Sequence, residues 1–377
     1  MNNHPDILIV GGGVIGLTTA YFLAREDVRV TVVDKADIGL EASWAGAGIL
    51  PPGNPDQAKS PFDRLRAESV AAFPGLSEEL RERTGIDNGY LRSGGLEFLS
   101  ESDLAAAEEW RGCGVHADLL DEAALQELEP TLSPGLGRAH HLPDMAQVRN
   151  PRHLNALSQA CRGLGVNLSP GCPVFDFECK GDHILSARTS QGSIHAGRFL
   201  LTAGAWTNIL LEMVGWSPGI KPVRGQILLL ETQQTSLRKI LLWGPKYIVP
   251  RRDGRILVGS TEEDVGFVKR TTAQGIADLL DLATTLVPML GDAQVKQTWA
   301  GLRPGSPDDL PILGQIPNLH NLFVAAGHFR AGIQLSPGTA RLMKELLLGE
   351  TPSLPMDDFS LERFSQAGTR EQQRVQG

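Results

Sequence analysis

Cysteine is scarce in this chain: 377 residues hold four, Cys113, Cys161, Cys172 and Cys179. They form no C-x-x-C pair and stand near no histidine pattern suited to zinc, so neither a disulfide framework nor a metal site is expected. Such sparse thiols fit a reducing cytoplasm, with buried packing as the role expected of each. Excess positive charge is also missing. The formal net charge of −9 argues against nucleic acid or an anionic membrane as the main partner. It leaves room for a local basic site that takes a small carboxylate. No Lys or Arg precedes the uncharged run Ile7–Ala24, and Gly11, Gly12, Gly13 and Gly16 interrupt it. Those features argue against a signal peptide or a membrane span. No internal repeat divides the rest of the chain, and 377 residues suffice for two domains or one large one.

What the apolar run does contain is a strand, a glycine turn and a helix in register. Asp6–Val10 reads as a short strand buried in a parallel sheet. Gly11-Gly12-Gly13-Val14-Ile15-Gly16 follows with the G-x-G-x-x-G spacing. Gly11 permits the tight turn, Gly13 lets backbone approach a pyrophosphate, and Gly16 lets the helix lie close on the sheet. The helix expected from Val14 to Arg25 aims its N–H groups and dipole at the phosphates. Val28–Val33 reads as the second strand and ends at Asp34, whose carboxylate suits an adenosine ribose and repels a 2′-phosphate. This unit binds an adenine dinucleotide; by itself it does not separate FAD from NAD.

Beyond it, helices are expected over Phe62–Arg83 and Asp103–Glu129. Phe199–Thr202 reads as another strand running into a glycine turn, Ala203-Gly204-Ala205-Trp206, able to bring backbone to the same ligand. Pro222–Leu230, Tyr247–Pro250 and Arg255–Gly259 read as strands of a separate antiparallel sheet, with Asp253-Gly254 as a hairpin turn. Asn321–Ala326 reads as a strand before Gly327-His328-Phe329-Arg330-Ala331-Gly332. A helix is then expected with Ser336 as N-cap, Pro337 at its first position and Gly349 past its end. Its positive end suits an anion such as a reduced flavin. Residues 363–377 read as a polar tail.

With these segments in hand, the chain resembles the D-amino-acid oxidase family of FAD-dependent oxidoreductases, and within it the glycine oxidases of the thiamine-biosynthesis type. The likeness covers most of the chain and rests on Ile9–Gly16, Glu41–Leu50, Pro222–Gln226, Tyr247–Arg251 with Asp253–Gly259, Gly301–Pro304 and Gly327–Gly332. It implies an α/β fold in which a Rossmann-like FAD-binding domain (1–60, 140–210 and 300–362) interleaves with an antiparallel-sheet substrate domain (61–139 and 211–299). It implies FAD held by Gly11, Gly13, Val14, Ile15, Gly16, Asp34, Lys35, Ser43, Ala47, Gly48, Ile49, Leu50, Val174, Ala203, Gly204, Trp206, His328, Arg330, Gly332, Ile333 and Gln334. No cysteine lies between Arg303 and the last motif, where some relatives attach the flavin, so FAD is expected noncovalently.

The same resemblance implies oxidation of glycine or another small amino acid to the imine and 2-oxo acid, with O2 reduced to H2O2. Arg303 is the expected carboxylate clamp, since a guanidinium grips a carboxylate bidentately. Tyr247 is the expected second donor. Arg330 can meet substrate, flavin or a structural carboxylate. By residue type alone, an arginine in a loop is ordinarily a solvated charge and a strand tyrosine ordinarily packs. His328 lacks an evident acid partner and reads as structural or flavin-adjacent. Relatives carry a polar side chain shortly before the Tyr247 position, and here Lys246 can act in its place or face water. Two other readings stand beside the oxidase: a dehydrogenase passing electrons to a quinone or protein, and a flavoprotein that binds FAD without turnover. A homo-oligomer in the cytoplasm completes what the likeness implies.

Overall fold

The computed structural model describes residues 4–99, 110–233 and 237–364. The run Ile7–Val10 is a strand buried at every position, and Val30–Val33 pairs with it in parallel. Between them, Val14–Ala24 is a helix with nearly every residue buried. A helix apolar on all sides belongs in the interior of a layered fold, which explains why the opening run carries no charge. Arg198–Leu201 pairs with the other edge of the first strand. The six-stranded sheet runs 312–315, 322–326, 198–201, 7–10, 30–33, 167–169. All its neighbours are parallel except the first pair, which is antiparallel. The first strand sits centrally, so the turn after it opens where flanking strands end on the same edge.

A second sheet of eight strands runs 294–305, 221–231, 255–259, 246–250, 240–243, 95–98, 139–142, 118–120. It is antiparallel but for Ile240–Trp243 against Gly95–Phe98. Its long members, Lys221–Glu231 and Gln294–Gly305, stay paired along nearly their whole length. Three-stranded sheets cover 174–195 and join residues 49–50, 146–147 and 91–92. The α/β class with a second, largely antiparallel sheet is as expected. Helix Pro61–Thr84 buries Leu65, Phe73, Leu76 and Leu80 with the first and last helices, in the core of the parallel layer.

Several local expectations need correction. The last helix begins at Gly332, not after Ser336, and Pro337 lies inside it. A proline there removes the N–H that would reach the Ile333 carbonyl. The Ser336 hydroxyl donates to that carbonyl instead, at 2.9 Å, so the residue expected to cap the helix repairs its interior. The helix expected over 103–129 is broken: residues 103–109 lie outside the described residues, residues 110–112 and Glu122–Leu128 are helical, and Asp118–Leu120 between them is a strand. Asp121 caps that short helix through the Ala124 N–H. Arg363, the first residue assigned to the polar tail, pairs with Asp308 at 2.7 Å; residues 365–377 lie outside the described residues. Cys161 and Cys172 are buried, whereas Cys113 is half-buried and Cys179 exposed, so burial is not common to all four.

Candidate active site

The strand-to-helix turn at Gly11 is dictated by sterics. Gly11 has φ +117°, and a Cβ there would lie 2.4 Å from the Thr202 carbonyl oxygen. At Gly16 a Cβ would lie 2.0 Å from the Gly11 carbonyl oxygen, so this glycine sets how closely the helix lies on the turn. Gly13 differs: a Cβ there would meet only the Ser43 hydroxyl, at 3.2 Å. Gly11 and Gly13 face a cavity of about 580 Å³, within the usual range for small-molecule sites. The Asp34 carboxylate also lines it and accepts hydrogen bonds from the Gly12 N–H (2.7 Å) and the Ala36 N–H (3.0 Å). Burial nonetheless raises its pKa above the ordinary carboxylate value.

Two helices begin at this cavity without a capping side chain from their own N-cap residues. Val14–Ala24 starts after Gly13, and Gly332–Leu348 starts after Ala331; neither has an acidic residue in its first turn. Both therefore present positive N-terminal ends, one beside the glycine turn and the other beside Gly332, Ile333 and Gln334. A long ligand with an anionic group at each place fits this donor set, as an adenine dinucleotide with a reducible ring does. Further along the wall, the Lys35 ammonium lies 3.3 Å from the Trp206 ring centroid. Val174, Ala203, Gly204 and Trp206 complete that end, and Ser43, Ala47, Gly48 and Ile49 form one side. Ser43 also accepts from the Val14 N–H at 3.0 Å, tying its loop to the helix start.

Of the residues expected to hold the cofactor, all but two line the cavity. Gly16 and Leu50 do not. Gly16 acts through helix packing, and Leu50 is fully buried in the core beneath the loop. Strand alternation accounts for Leu50, since Ile49 faces the cavity and its neighbour must face away.

The other end is built by side chains of the eight-stranded sheet. Arg303 and Tyr247 come from strands that are not neighbours, and the strands between them carry glycines where both side chains lie. A Cβ on Gly225 would sit 2.3–2.5 Å from the Arg303 guanidinium, and one on Gly259 would sit 2.8 Å from the Tyr247 ring and hydroxyl. Gly259 is the direct ladder partner of Tyr247. The Arg303 guanidinium donates to the Ser260 hydroxyl and, at 3.3 Å, to the Thr261 carbonyl. Burial lowers its pKa, while the Tyr247 phenol beside it pulls the other way. Among the described residues no carboxylate lies within 4.0 Å of it, which makes it a desolvated cation facing a cavity. Lys246 lines the same end, likewise without a carboxylate partner among the described residues.

Arg330 also lines the cavity, but its guanidinium pairs with Glu262 and donates to the Pro245 carbonyl at 3.3 Å. Of the three partners open to it from sequence, the structure shows a carboxylate of this chain. His328 is buried, with Nε2 3.1 Å from the Thr339 hydroxyl, and burial pushes its pKa down to about 3. It is a neutral imidazole with no acid behind it. Sequence reasoning missed Ser260, Gly225, Gly259, Phe62 and Arg66, of which Ser260, Phe62 and Arg66 line the cavity. The glycines carried a signal, since a glycine inside a strand marks a close approach.

Comparison with known proteins agrees with this geometry. A family model described as DAO, FAD dependent oxidoreductase, matches residues 6–346. A glycine oxidase of Pseudomonas putida is 36% identical over 359 residues, covering 95% of this chain and 98% of that protein. The crystal structure of glycine oxidase from Geobacillus kaustophilus superposes with a TM-score of 0.90 at 35% identity, covering 95% of this chain and 98% of the other. Iminodiacetate oxidase from Chelativorans sp. superposes at 0.84 with 26% identity, covering 94% and 98%. No helix among the described residues is long and apolar enough to cross a membrane. With the glycine turn, the two uncapped helix ends and a match over nearly its whole length, this chain belongs to the DAO family of FAD-dependent oxidoreductases.

Proposed function

We propose that the chain oxidises glycine or another small amino acid to its imine, which water hydrolyses to the 2-oxo acid, glyoxylate in the case of glycine. The observation that carries this reading is Arg303: a buried guanidinium without a carboxylate partner among the described residues, beside a tyrosine, on a floor cleared by glycines. A desolvated cation in that setting is satisfied best by the carboxylate of a ligand. When bound, FAD would supply a two-electron acceptor that O2 can reoxidise with formation of H2O2. Arg303 and Tyr247 hold the substrate carboxylate, which fixes where its Cα–H points. Arg303, Lys246 and the paired Arg330 surround the substrate with positive charge, which disfavours the ammonium form and favours the neutral amine that oxidation requires. His328, neutral and hydrogen-bonded to Thr339, is not needed as a base.

In this reading the cavity-lining residues of the glycine turn, of the loop 43–49 and of the segments 203–206 and 328–334 bind FAD noncovalently. Residues of the parallel layer form the cofactor part, and the eight-stranded sheet forms the substrate part. The product serves thiamine biosynthesis, as in the glycine oxidases the chain resembles. A cytoplasmic setting is supported by the four free cysteines, and a homo-oligomer by the family likeness alone. The test is anaerobic addition of glycine, sarcosine and small D-amino acids to the yellow holoprotein. Bleaching by one of them, followed by rapid recovery in air with H2O2 released, is expected. Flavin that none of them reduces overturns the reading. Bleaching with slow recovery in air but rapid recovery with a dye replaces O2 by another acceptor.

A further inference from the structure

Arg251 directly follows the strand Lys246–Pro250, which carries Tyr247, yet it does not line the cavity. The residue as a whole is half-buried, but its Nε is sealed from solvent and has no acceptor. Its guanidinium donates to the Ala47 carbonyl at 2.6 Å, the Val148 carbonyl at 3.1 Å and the Gln147 side-chain oxygen at 2.5 Å. No carboxylate of the described residues pairs with it; the nearby Asp253 is taken by Arg149 at 2.5 Å. A buried cation solvated only by the oxygens of two other segments is costly unless those oxygens stay in place. Arg251 thus constrains them as much as they satisfy it.

The segment it grips is the one that walls the cavity. Ala47 stands between Gly46 and Gly48, which with Ser43 and Ile49 also face the cavity. Other anchors hold this loop elsewhere. The Asn150 amide donates to the Ser43 carbonyl at 2.7 Å, and the Val148 N–H donates to the Gly48 carbonyl at 2.8 Å. The Trp299 indole donates to the Ala45 carbonyl at 3.0 Å. Only Arg251, among these four, adjoins the strand that carries Tyr247. We propose that Arg251 is a positioning residue that locks the cavity face of the Ser43–Leu50 loop to the Tyr247 strand, so that cofactor and carboxylate clamp share one frame. The catalytic part of this inference rests on the oxidase reading; the cofactor part does not.

The test uses holoprotein carrying Arg251→Met or Arg251→Lys. Three quantities are read: the FAD dissociation constant, the visible spectrum of bound flavin, and the limiting rate of anaerobic flavin reduction by glycine. For Arg251→Met we expect FAD affinity and the limiting rate each to fall about tenfold or more, because a loosened frame misplaces reacting groups. A changed flavin spectrum accompanies this. Arg251→Lys keeps the charge but cannot span all three oxygens, and should recover part of each loss. A Met variant with parental affinity, spectrum and rate overturns the proposal, as does one that merely melts at lower temperature. Should the Met variant not fold, a Lys variant equal to the parent in all three readouts overturns it. If no amine reduces the parental flavin, the oxidase reading fails, while affinity and spectrum still decide the role of Arg251.

Discussion

At the glycine-turn end the cavity faces the turn and helix start at 11–15 and the turns at 203–206 and 332–334. At the Arg303 end it faces side chains, brought together from strands 246–250 and 294–305 over glycines on two strands between them. The first construction is local, since one strand, one turn and one helix determine it. The second depends on ladder register across four strands, where a slip of one residue would turn every side chain to the other face. Backbone recognition tolerates substitution wherever no Cβ intrudes, whereas side-chain recognition depends on single residues and on the empty space beneath them.

The sharpest way to break the comparison is at the clamp itself. Arg303→Met removes a desolvated cation that faces the cavity and has no carboxylate partner among the described residues. Loss of one partner of a buried charged pair costs about 2–5 kcal/mol, so kcat/KM for glycine should fall by about 30- to 5,000-fold. FAD content should hold, because the glycine-turn end is untouched. Equal loss of flavin in this variant would show that the two ends are not separate constructions.

Gly225→Ala asks the same question without removing any polar group. Its Cβ would enter the space 2.3–2.5 Å from the Arg303 guanidinium, which must then move. A displacement of about 1 Å costs up to about 10²-fold in rate, so a loss of about 10- to 100-fold in kcat/KM is expected, again with FAD retained. Steady-state kinetics on glycine, alongside flavin content by absorbance, checks both halves.

This contrast also explains what could be read from sequence. The strand Ile7–Val10, the turn and the helix Val14–Ala24 lie contiguously, and each is fixed by local sterics and burial, so they were legible with their ligand. Arg303 and Tyr247 were reached only through resemblance, because nothing local says how their strands are placed in one sheet. Gly225 and Gly259 looked like ordinary strand residues until register placed them under those side chains. Ser336 misled for a related reason: a serine before a proline has the local pattern of a helix start, and tertiary packing of Gly332–Leu348 overrode it. The loop assigned to the cofactor lines the cavity at Ser43, Ala47, Gly48 and Ile49, and the alternation of a two-residue strand turns Leu50 away from it.

Within the glycine turn, the comparison sharpens to single positions. Gly16→Ala forces a Cβ to 2.0 Å from the Gly11 carbonyl, an overpacking expected to cost about 1–3 kcal/mol of folding stability even without FAD. Gly13→Ala meets only the Ser43 hydroxyl, so the apoprotein should melt as the parent does while FAD binds more weakly. Thermal melts of apoprotein and flavin titrations of both variants separate the packing role from the ligand-facing one. Parental FAD affinity in Gly13→Ala would remove backbone approach as the reason for that glycine.

The smallest expected effect separates two buried groups of the cavity wall, Asp34 and His328, by the sign of their acid response. Burial raises the pKa of Asp34 and lowers that of His328 to about 3. For His328 the unfolded state, near 6.5, binds the proton first, so its contribution to stability is lost as pH falls below that value. Between pH 6.5 and 5.5 this amounts to about 1 kcal/mol for one such histidine. The fully buried His153, lowered to about 4, adds a loss of the same sign in the same interval. Asp34 works oppositely: its folded pKa lies above the unfolded one, so acid relieves a strain that neutral pH imposes. His328→Gln can keep a hydrogen bond to Thr339 without a titrating ring. Its apoprotein should therefore lose about 1 kcal/mol less than the parent between pH 6.5 and 5.5 in denaturant titrations. Asp34→Asn should gain relative stability at neutral pH while binding FAD more weakly. If both variants keep the parental pH slope, the titration of neither Asp34 nor His328 is set by its burial.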